Sequence, residues 1–376
     1  MKVIMTGGGT GGHLYPALAV AEEIRRRRPD AQILFLGTES NIEVKVVPEN
    51  GYDFRAIPAS SFNRYKSILK MIGEFFKASK GTLKGIMASR RIIGEFGPDF
   101  VVGTGGFVSV PVIIAACGRK VPCYIHEQNA YPGLGNKITG KRCRKIFLGF
   151  DEAREKFDEP SKCVYTGNPV RAAFIGKDKK AAREKLGISG DDFVVFAFGG
   201  SLGAETINEI AVEYAFSTAG KDGMTLLFST GERFYDETVK KISAKLGEVP
   251  ANTRVFPYVK DMPDFLAASD LAICRAGALS LAEITSCGTP SVLIPYPLAA
   301  YDHQYYNAKT VADAGGALLF RDGEKTPKEI CGIVEKLAND DEKMKEMSEK
   351  AKSVAPVDAA GKIVDAIFGD LGIEDK

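Results

Sequence analysis

The sequence predicts an α/β protein with two Rossmann-like parallel-sheet domains that face each other across a cleft. Short apolar runs alternate with helical patterns from end to end, which is typical of β-α-β units and parallel sheets. A glycine-rich turn follows an apolar run early in each half, at residues 7–12 and 199–203. The length of 376 residues suits two domains that each bury their own core.

The apolar runs predict the order of the strands. We expect strands at residues 3–5, 33–36, 100–102, up to 125 and 163–166 in the first half, and at 193–198, 224–228, 254–256, 271–274 and 291–294 in the second. A polar, lysine-rich stretch at 176–180 separates the halves, so we assign residues 1–171 to the N-terminal domain and 172–356 to the C-terminal domain. A last helix at about 357–376 is expected to pack back on the first domain.

Composition excludes several classes of protein. The chain is 45% hydrophobic and 26% charged, has no run of eighteen apolar residues, and starts directly on a predicted strand without a signal peptide. Its seven cysteines are odd in number and form no C-x-x-C pair, which argues for a reducing compartment and against zinc or a disulfide framework. We therefore expect a cytosolic enzyme, with no metal and no nucleic-acid partner.

Charge is distributed unevenly along the chain. Residues 1–171 carry 26 Lys and Arg against 16 Asp and Glu, a balance of +10, and the remainder carries 24 against 32, a balance of −8. This asymmetry indicates that the N-terminal half meets an anionic surface or a phosphorylated ligand. Drift in surface composition is the alternative explanation.

The first glycine turn predicts an anion site. It joins a strand to a helix, and the free N–H groups of a first helical turn point at an anion. The residues that would supply these groups are Gly9, Thr10, Gly11 and Gly12. His13 follows directly, which the similarly spaced dinucleotide fingerprint does not require. Two alternatives stay open at this point: a dinucleotide-binding loop, and a purely structural role for His13.

Further polar motifs follow other predicted strands, where open α/β sheets bind their ligands. In the first half these are a second glycine turn with Gly105 and Gly106, the run His126-Glu127-Gln128-Asn129, and "GNPVR" ending at Arg171. In the second half they are "GGSLGAETIN" with Ser201, "RAGALSLAEI" with Glu283, and "HQYYNA" with Gln304. All three histidines of the chain, at 13, 126 and 303, belong to such motifs.

Residues 60–91 predict a basic amphipathic helix, with eight Lys and Arg against the single acid Glu74. Lysines occupy one stripe and apolar residues the other, so the helix could lie on anionic lipid. The expected membrane face lies within residues 62–84 and comprises Lys66, Ile68, Lys70, Phe75, Phe76 and Lys77. A core-facing helix with a solvated lysine face is the alternative.

Seven motifs together resemble the MurG family of bacterial peptidoglycan N-acetylglucosaminyltransferases, which convert lipid I to lipid II. They are "GGTGGHLYPALAVA", "GTGGFVSVP", "HEQNAYPGLGNK", "GNPVR", "GGSLGAETIN", "RAGALSLAEI" and "HQYYNA", in family order from residue 8 to about 308. "HEQN" with "GNPVR" is the most specific pair. Departures are small: an extra Gly7, Phe107 where tyrosine is frequent, and tyrosines after Gln304.

The resemblance implies a GT-B fold and inverting, metal-independent transfer from UDP-N-acetylglucosamine to lipid I at the cytoplasmic face of the bacterial membrane. No cofactor is implied, and other cell-wall synthesis or division proteins are further expected partners. The absence of any D-x-D motif agrees with metal independence. The acceptor and the membrane would meet the N-terminal domain, and the donor would bind the C-terminal domain.

The resemblance also assigns roles to residues. His13 would be the general base, with Glu127 in reserve. Arg171, Ser201 and the glycine-loop N–H groups would stabilise the departing diphosphate, and Gly9, Gly105 and Gly106 would form the acceptor diphosphate loops. The remaining donor contacts would come from Asn129, the Val259 backbone, Ala278, Leu279, Ser280, Leu281, Ala282, Glu283 and Gln304, with Glu283 on the ribose. A dinucleotide-dependent oxidoreductase and a non-catalytic sugar-nucleotide or membrane-scaffold protein remain the competing hypotheses.

Overall fold

The chain forms two compact units in a computed structural model that describes residues 1–59, 68–200 and 202–375, with the backbone alone for residues 68–80. The first unit comprises Met1–Arg171 together with Pro356–Lys376, and the second comprises Ala172–Ala355. Each unit contains one parallel sheet covered by helices, which is the predicted α/β class.

The first unit contains a seven-stranded sheet in the order β3-β2-β1-β4-β5-β6-β7. Its strands are β1 (Lys2–Thr6), β2 (Gln32–Gly37), β3 (Asp53–Ala56), β4 (Phe100–Gly103), β5 (Cys123–Glu127), β6 (Lys145–Leu148) and β7 (Cys163–Tyr165). The helices between them are α1 (Gly11–Arg27), α2 (Glu43–Glu49), α3 (Ile68–Phe96), α4 (Ser109–Cys117) and α5 (Leu134–Gly140).

Successive side chains of the central strand β1 point to opposite faces of the sheet, and the core of this unit has one part on each face. Val3 and Met5 point into an apolar cluster that includes α1, whereas Ile4 points into a cluster formed with α3 and α4. A strand whose two faces are both covered must be apolar on both, which explains the unbroken apolar run that predicted it.

The second unit contains a six-stranded sheet in the order β10-β9-β8-β11-β12-β13. In chain order its elements are α6 (Lys179–Leu186), β8 (Phe193–Phe198), α7 (Glu205–Thr218), β9 (Met224–Ser229), α8 (Tyr235–Leu246), β10 (Thr253–Phe256), α9 (Met262–Ala268), β11 (Leu271–Cys274), α10 (Ala278–Cys287), β12 (Ser291–Leu293), α11 (His303–Asp313), β13 (Ala317–Leu319), α12 (Pro327–Ala338) and α13 (Asp341–Ser353).

The last helix, α14 (Ala359–Leu371), returns to the first unit and packs on α1. Its apolar side contributes Ile363 and Ile367 to the core beside β1. On its polar side, the carboxylate of Asp370 accepts a 2.5 Å hydrogen bond from the hydroxyl of Tyr124 on β5. The same carboxylate forms an ion pair with Arg144 at 3.1 Å. The first unit is therefore built from both ends of the chain.

The strand order places one switch point in each sheet. In the first sheet β1 lies between β2 and β4, and in the second β8 lies between β9 and β11. Loops that follow the two central neighbours leave the sheet in opposite directions, which opens a crevice at their carboxyl ends. The glycine turns after β1 and β8 both lie at such a crevice, as does the turn after β4.

Candidate functional site

The two glycine loops of the first unit are packed against each other around His13. The loops follow β1 and β4, which are neighbouring strands. The Thr104 hydroxyl, in the second loop, donates a 2.6 Å hydrogen bond to the backbone carbonyl of His13, in the first turn of α1. A β-carbon on Gly7 would lie 1.9 Å from that hydroxyl oxygen, so a glycine is needed for this close approach.

Gly105 and Gly106 provide the space for the imidazole ring of His13. Both have positive φ, at 98° and 79°, where other residues are strained. A β-carbon on Gly105 would lie 2.9 Å from Nδ1 of His13, and one on Gly106 would lie 2.3 Å from the carbonyl oxygen of Gly8. These contacts explain the second glycine turn by the packing of the ring, independently of any phosphate.

His13 is half-buried, and its Nδ1 is engaged by two protein oxygens. Nδ1 lies 3.0 Å from the side-chain oxygen of Gln128 and 3.2 Å from the carbonyl oxygen of Thr104. Within the part of the chain that is described, no hydrogen bond to Nε2 is found. The ring thus offers its Nε2 edge to a ligand while its Nδ1 edge is held by the protein.

His126 is not exposed at all and lies behind this site at the end of β5. Burial lowers the pKa of His126 to about 4, because the charged imidazolium would lose its hydration, while the hydrogen bond to the Gly167 carbonyl acts weakly in the opposite direction. His126 is therefore neutral near pH 7. Its place in the core indicates a supporting role and not contact with a ligand.

Glu127 holds the loop that follows β5. Its carboxylate is buried and accepts four hydrogen bonds, from the backbone and side-chain N–H groups of Asn129, from the backbone of Gly133 and from the side chain of Asn136, at 2.8–3.1 Å. A carboxylate whose lone pairs accept four donors is poorly placed to take a proton from a ligand. This geometry favours His13 over Glu127 as the base, and it also fixes the orientation of the Asn129 amide.

The start of α1 is accessible, and a cation lies near it. Thr10 and Gly12 are exposed, and α1 begins at Gly11 with its N-cap residue in an extended conformation. The guanidinium of Arg171 lies 4.9 Å from the centre of the Tyr15 ring, and that ring borders Gly11. A helix N-terminus beside an arginine suits an anionic ligand.

The buried carboxylate of Glu43, which the sequence did not single out, restrains the first glycine loop. It accepts hydrogen bonds from the Gly9 backbone at 3.3 Å and from the backbone and hydroxyl of Thr38 at 3.0 and 2.7 Å. The N–H of Gly9 is thus already paired within the protein. Glu43 lies in a helix of seven residues with no motif around it, so no pattern in the sequence could have revealed this contact.

In the second unit, candidate donor residues gather at the carboxyl ends of β8, β11 and β12, which are consecutive neighbours in the sheet. Ser201, in the loop after β8, lies outside the described residues. After β11, helix α10 begins at Ala278; Leu279, Ser280 and Glu283 are partly exposed, whereas Ala278, Leu281 and Ala282 are buried. After β12, the side-chain oxygen of Gln304 accepts a 3.0 Å hydrogen bond from the Tyr296 backbone. Val259 is buried in the loop that follows β10.

Arg275 links these loops and was not identified from the sequence. Its guanidinium donates to the carbonyl oxygens of Ile294 and Pro295 at 3.1 and 3.2 Å and pairs with Asp322 at 2.7 Å. Asp322 in turn accepts a 2.8 Å hydrogen bond from Thr206 at the start of α7. One partly buried arginine therefore joins the loops that follow β8, β11, β12 and β13.

Four exposed apolar side chains lie on α3 and α5, the two helices that pack against the N-terminal end of α4. Leu83 and Met87 of α3 are 60% and 66% exposed, and Leu134 and Ile138 of α5 are 63% and 44% exposed. Both helices contact the start of α4, because Gly85 packs against Pro111 and Gly135 packs against Val110. The pair on α5 is the one near Gly106, because a β-carbon on Gly135 would lie 3.9 Å from the Gly106 carbonyl oxygen, whereas Leu83 and Met87 lie on the side of α3 that faces away from α4. We call these four residues the apolar surface.

The predicted membrane face is described only as backbone. Lys66 lies outside the described residues, as do the side chains of Ile68, Lys70, Phe75, Phe76 and Lys77, although α3 is helical from Ile68 onward. In the described part of the chain no helix is long and apolar enough to cross a membrane. Among the same residues, no group of three or more His, Cys, Asp or Glu has a metal-binding arrangement.

Comparison with known proteins gives two family matches in tandem. The model of the glycosyltransferase family 28 N-terminal domain matches residues 3–148, and the model of the family 28 C-terminal domain matches residues 194–363. A relative from Acetivibrio thermocellus is 39% identical over 368 residues, or 98% of this chain and 97% of the relative. One from Clostridioides difficile is 40% identical over 370 residues, or 98% and 88%. Both are named UDP-N-acetylglucosamine–N-acetylmuramyl-(pentapeptide) pyrophosphoryl-undecaprenol N-acetylglucosamine transferase.

Solved structures agree on the architecture. The crystal structure of MurG from Acinetobacter baumannii is similar with a TM-score of 0.73 and 27% identity, covering 98% of this chain and 99% of that one. The UDP-GlcNAc 2-epimerase from Neisseria meningitidis, bound to UDP-GlcNAc, gives a TM-score of 0.70 at 14% identity, covering 98% and 100%, and at that identity shows only a common fold. The architecture of two parallel-sheet α/β domains is GT-B-like.

Proposed function

The chain belongs to glycosyltransferase family 28, and we propose from this membership that it transfers N-acetylglucosamine from UDP-N-acetylglucosamine to lipid I, undecaprenyl-diphospho-N-acetylmuramyl-pentapeptide. The observation that carries the proposal is the near full-length identity of about 39% with relatives named for this reaction. The product would be lipid II, the precursor of peptidoglycan. The dinucleotide-dependent oxidoreductase considered from the glycine spacing does not fit this family.

We assign the donor to the second unit. The N-terminus of α10 and the glycine turn after β8 offer N–H groups to a diphosphate, and the partly exposed Glu283 offers a carboxylate to ribose hydroxyls. The amide of Gln304 would form hydrogen bonds with the sugar, and the backbone N–H of Tyr296 holds its orientation. Ser201 and the Val259 backbone remain assigned by resemblance to the diphosphate and the uracil.

We assign the acceptor and the base to the first unit. In an inverting displacement the acceptor hydroxyl oxygen bonds to the anomeric carbon, the carbon–phosphate oxygen bond breaks, and UDP leaves with the bonding electrons. The hydroxyl proton must go to a base, and Nε2 of His13 is the ring nitrogen to which none of the described residues is hydrogen-bonded. Charge building on the leaving UDP would be stabilised by Arg171 and helix-terminal N–H groups, without a metal.

We further propose that the first unit works at the cytoplasmic surface of the membrane as a peripheral protein. Lipid I is anchored in the bilayer, so its diphosphate is reached only from the surface. Leu134 and Ile138 lie on the helix that packs beside Gly106 and therefore near the candidate acceptor loops, and Lys84 and Lys137 lie on the same two helices as the four residues of the apolar surface. Apolar side chains among lysines are suited to insertion into anionic lipid.

The experiment that tests the proposed function is transfer of radiolabel from UDP-N-acetylglucosamine to a short-chain lipid I analogue, with chelator present. We expect one labelled product per UDP released, with β stereochemistry at the new bond. If UDP binds but no label moves to the analogue, the chain is a sugar-nucleotide-binding protein and the proposed reaction is wrong. Transfer that stops on adding chelator would contradict metal independence alone.

A further inference from the structure

The amide of Gln128 can take only one orientation. Its nitrogen lies 2.8 Å from the carbonyl oxygen of Thr104 and 3.0 Å from the carbonyl oxygen of His126. A carbonyl oxygen accepts hydrogen bonds and cannot donate them, so both positions require the NH₂ group. Rotating the amide by half a turn would place its oxygen against two other oxygens. The Gln128 oxygen must therefore be the atom that faces His13.

This orientation decides which nitrogen of His13 carries the proton. Nδ1 faces the Gln128 oxygen at 3.0 Å and the Thr104 carbonyl oxygen at 3.2 Å, and both partners are acceptors. Only a protonated Nδ1 satisfies them, so a neutral His13 has its lone pair on Nε2. The tautomer follows from the hydrogen-bond network and not from observed hydrogen atoms.

His126 supports Gln128 from the side away from His13. Its Nε2 lies 3.1 Å from the Gly167 carbonyl oxygen, so in the neutral ring Nε2 carries the proton and Nδ1 accepts. That Nδ1 lies 2.9 Å from the Gln128 nitrogen, so three acceptors share the two N–H groups of the amide. Asn168 also donates to the Gln128 backbone carbonyl at 3.0 Å. Gly167 and Asn168 belong to "GNPVR", so the two most specific sequence motifs are bonded to each other.

Resting on the proposed function, we propose that Gln128, supported by His126, is a positioning residue that holds His13 as the Nδ1–H tautomer and so keeps Nε2 available as the base. In the transfer step the proton of the acceptor hydroxyl goes to Nε2, the hydroxyl oxygen bonds to the anomeric carbon, and UDP leaves with the electron pair of the broken bond. Water later removes the proton from the imidazolium. Gln128 is only 2% exposed, so we assign it to the positioning of His13 and not to contact with a substrate.

The residue that orients His13 is a neutral amide and not a carboxylate. An aspartate beside a catalytic histidine both orients the ring and stabilises the imidazolium. The Gln128 amide carries no net charge, so it orients the His13 ring without placing a carboxylate beside it. Stabilisation of the charges that form during transfer therefore falls to the site that receives UDP.

The direct test is the ring-nitrogen chemical shifts of histidine in the full-length protein labelled with ¹⁵N-histidine. The chain has only three histidines, so His13→Gln and His126→Gln variants assign the signals. The spectrum is recorded above the usual histidine pKa of about 6.5, so that neutral rings are compared. We expect His13 to carry its proton on Nδ1 and His126 on Nε2. A His13 proton on Nε2 in the wild-type protein would overturn the proposal.

The companion test uses Gln128→Met, which keeps the volume of the side chain and removes its hydrogen bonds. We expect the fraction of His13 protonated on Nε2 to rise and kcat to fall about tenfold, because the Thr104 carbonyl still holds part of the Nδ1–H population. Affinity for UDP should stay unchanged, since the donor is assigned to the other unit. The matched control is Gln32→Met, the same exchange at an exposed position at the start of β2, with unchanged kcat expected.

The outcomes separate this inference from the function on which it rests. Unchanged kcat and unchanged tautomer in Gln128→Met would overturn the role of Gln128. Loss of UDP binding together with kcat would mean that Gln128 supports the fold as a whole, which also overturns it. A wild-type protein with the expected tautomers but no transfer to any acceptor would overturn the proposed function and leave the tautomer assignment standing.

Discussion

At the scale of single residues, the hydrogen bonds made by buried polar groups determine the orientation and the chemistry of the exposed side chains. His13 was predicted from its place after a glycine turn, but the oxygens that hold its Nδ1 come from residues 91 and 115 positions away in the chain. Glu127 shows the converse, since its four hydrogen bonds reveal a structural role that the letters "HEQN" do not show. The site residues named from the sequence stay predictions, and the sequence did not single out Glu43, Arg275 or the hydrogen bond between Gln128 and His13.

The buried His126 predicts how stability depends on pH. Its pKa is about 4 in the folded protein and about 6.5 when unfolded, so between these values the unfolded chain binds the extra proton. Stability should therefore fall as pH drops through this window. From pH 7 to pH 5 the contribution of His126 is about 2 kcal/mol.

Urea unfolding at the two pH values checks this prediction. The loss of unfolding free energy on acidification should be about 2 kcal/mol smaller in His126→Gln, which cannot titrate, than in the wild type. The same loss in both proteins would show that His126 is already protonated in the folded state or is not buried.

The assignment of Glu283 to the ribose predicts that its substitution weakens binding of the donor. Removing a carboxylate that accepts from ribose hydroxyls should weaken UDP binding by roughly 2 kcal/mol, or about thirtyfold, and raise the donor KM in Glu283→Ala. Calorimetry with UDP measures this directly. The control is Glu237→Ala, the same substitution at an exposed position of α8. Equal affinities of all three proteins would remove Glu283 from the donor site.

At the scale of elements, burial on both faces determined which strands could be predicted. Strands such as β1, β8 and β11 have unbroken apolar runs and were located within a residue or two. β3, β6 and β13 were not predicted, and β6 is an exception to this pattern, because Ile146, Phe147 and Leu148 are buried. β3 is a four-residue edge strand with the sequence DFRA and mostly exposed side chains, and β13 has only three residues. Such short or polar strands are specified by their neighbours in the sheet, so their own sequence carries little signal.

The apolar surface on α3 and α5 predicts binding to membranes. Replacing Leu83, Met87 and Leu134 together by serine removes apolar area at about 25 cal/mol per Å², so association with anionic vesicles should fall by at least about tenfold. Vesicle sedimentation measures it, and binding should also weaken as salt is raised. Val357→Ser is the control, because Val357 is 72% exposed in the same unit but belongs to neither helix.

The lysines predicted from the sequence are tested beside the apolar residues. Glutamate at positions 66, 70 and 77 should release the protein from anionic vesicles, since each surface lysine contributes about 1 kcal/mol there, and should leave UDP binding intact. Sedimentation of both triple variants like the wild type would show that neither the basic helix nor the apolar surface faces the membrane.

At the scale of the whole molecule, the two units separate the tasks that the proposed reaction needs. The basic half contains His13, the loops around it and the apolar surface, whereas the acidic half contains Glu283, Gln304 and the helix start after β11. Fold class and family were predictable because glycine turns recur after buried strands in both halves. The hydrogen bonds between distant loops could not be predicted, because they depend on the order of the strands in the folded sheets.

The measurement that tests the account most directly is the transfer rate of His13→Ala beside its affinity for UDP. If Nε2 of His13 takes the acceptor proton, kcat for transfer to the lipid I analogue should fall about 10²–10⁴-fold, the range for losing a general base, while UDP binds as in the wild type. Turnover within a few-fold of the wild type, at unchanged UDP affinity, would contradict the account and leave His13 as a residue that only shapes the loops around it.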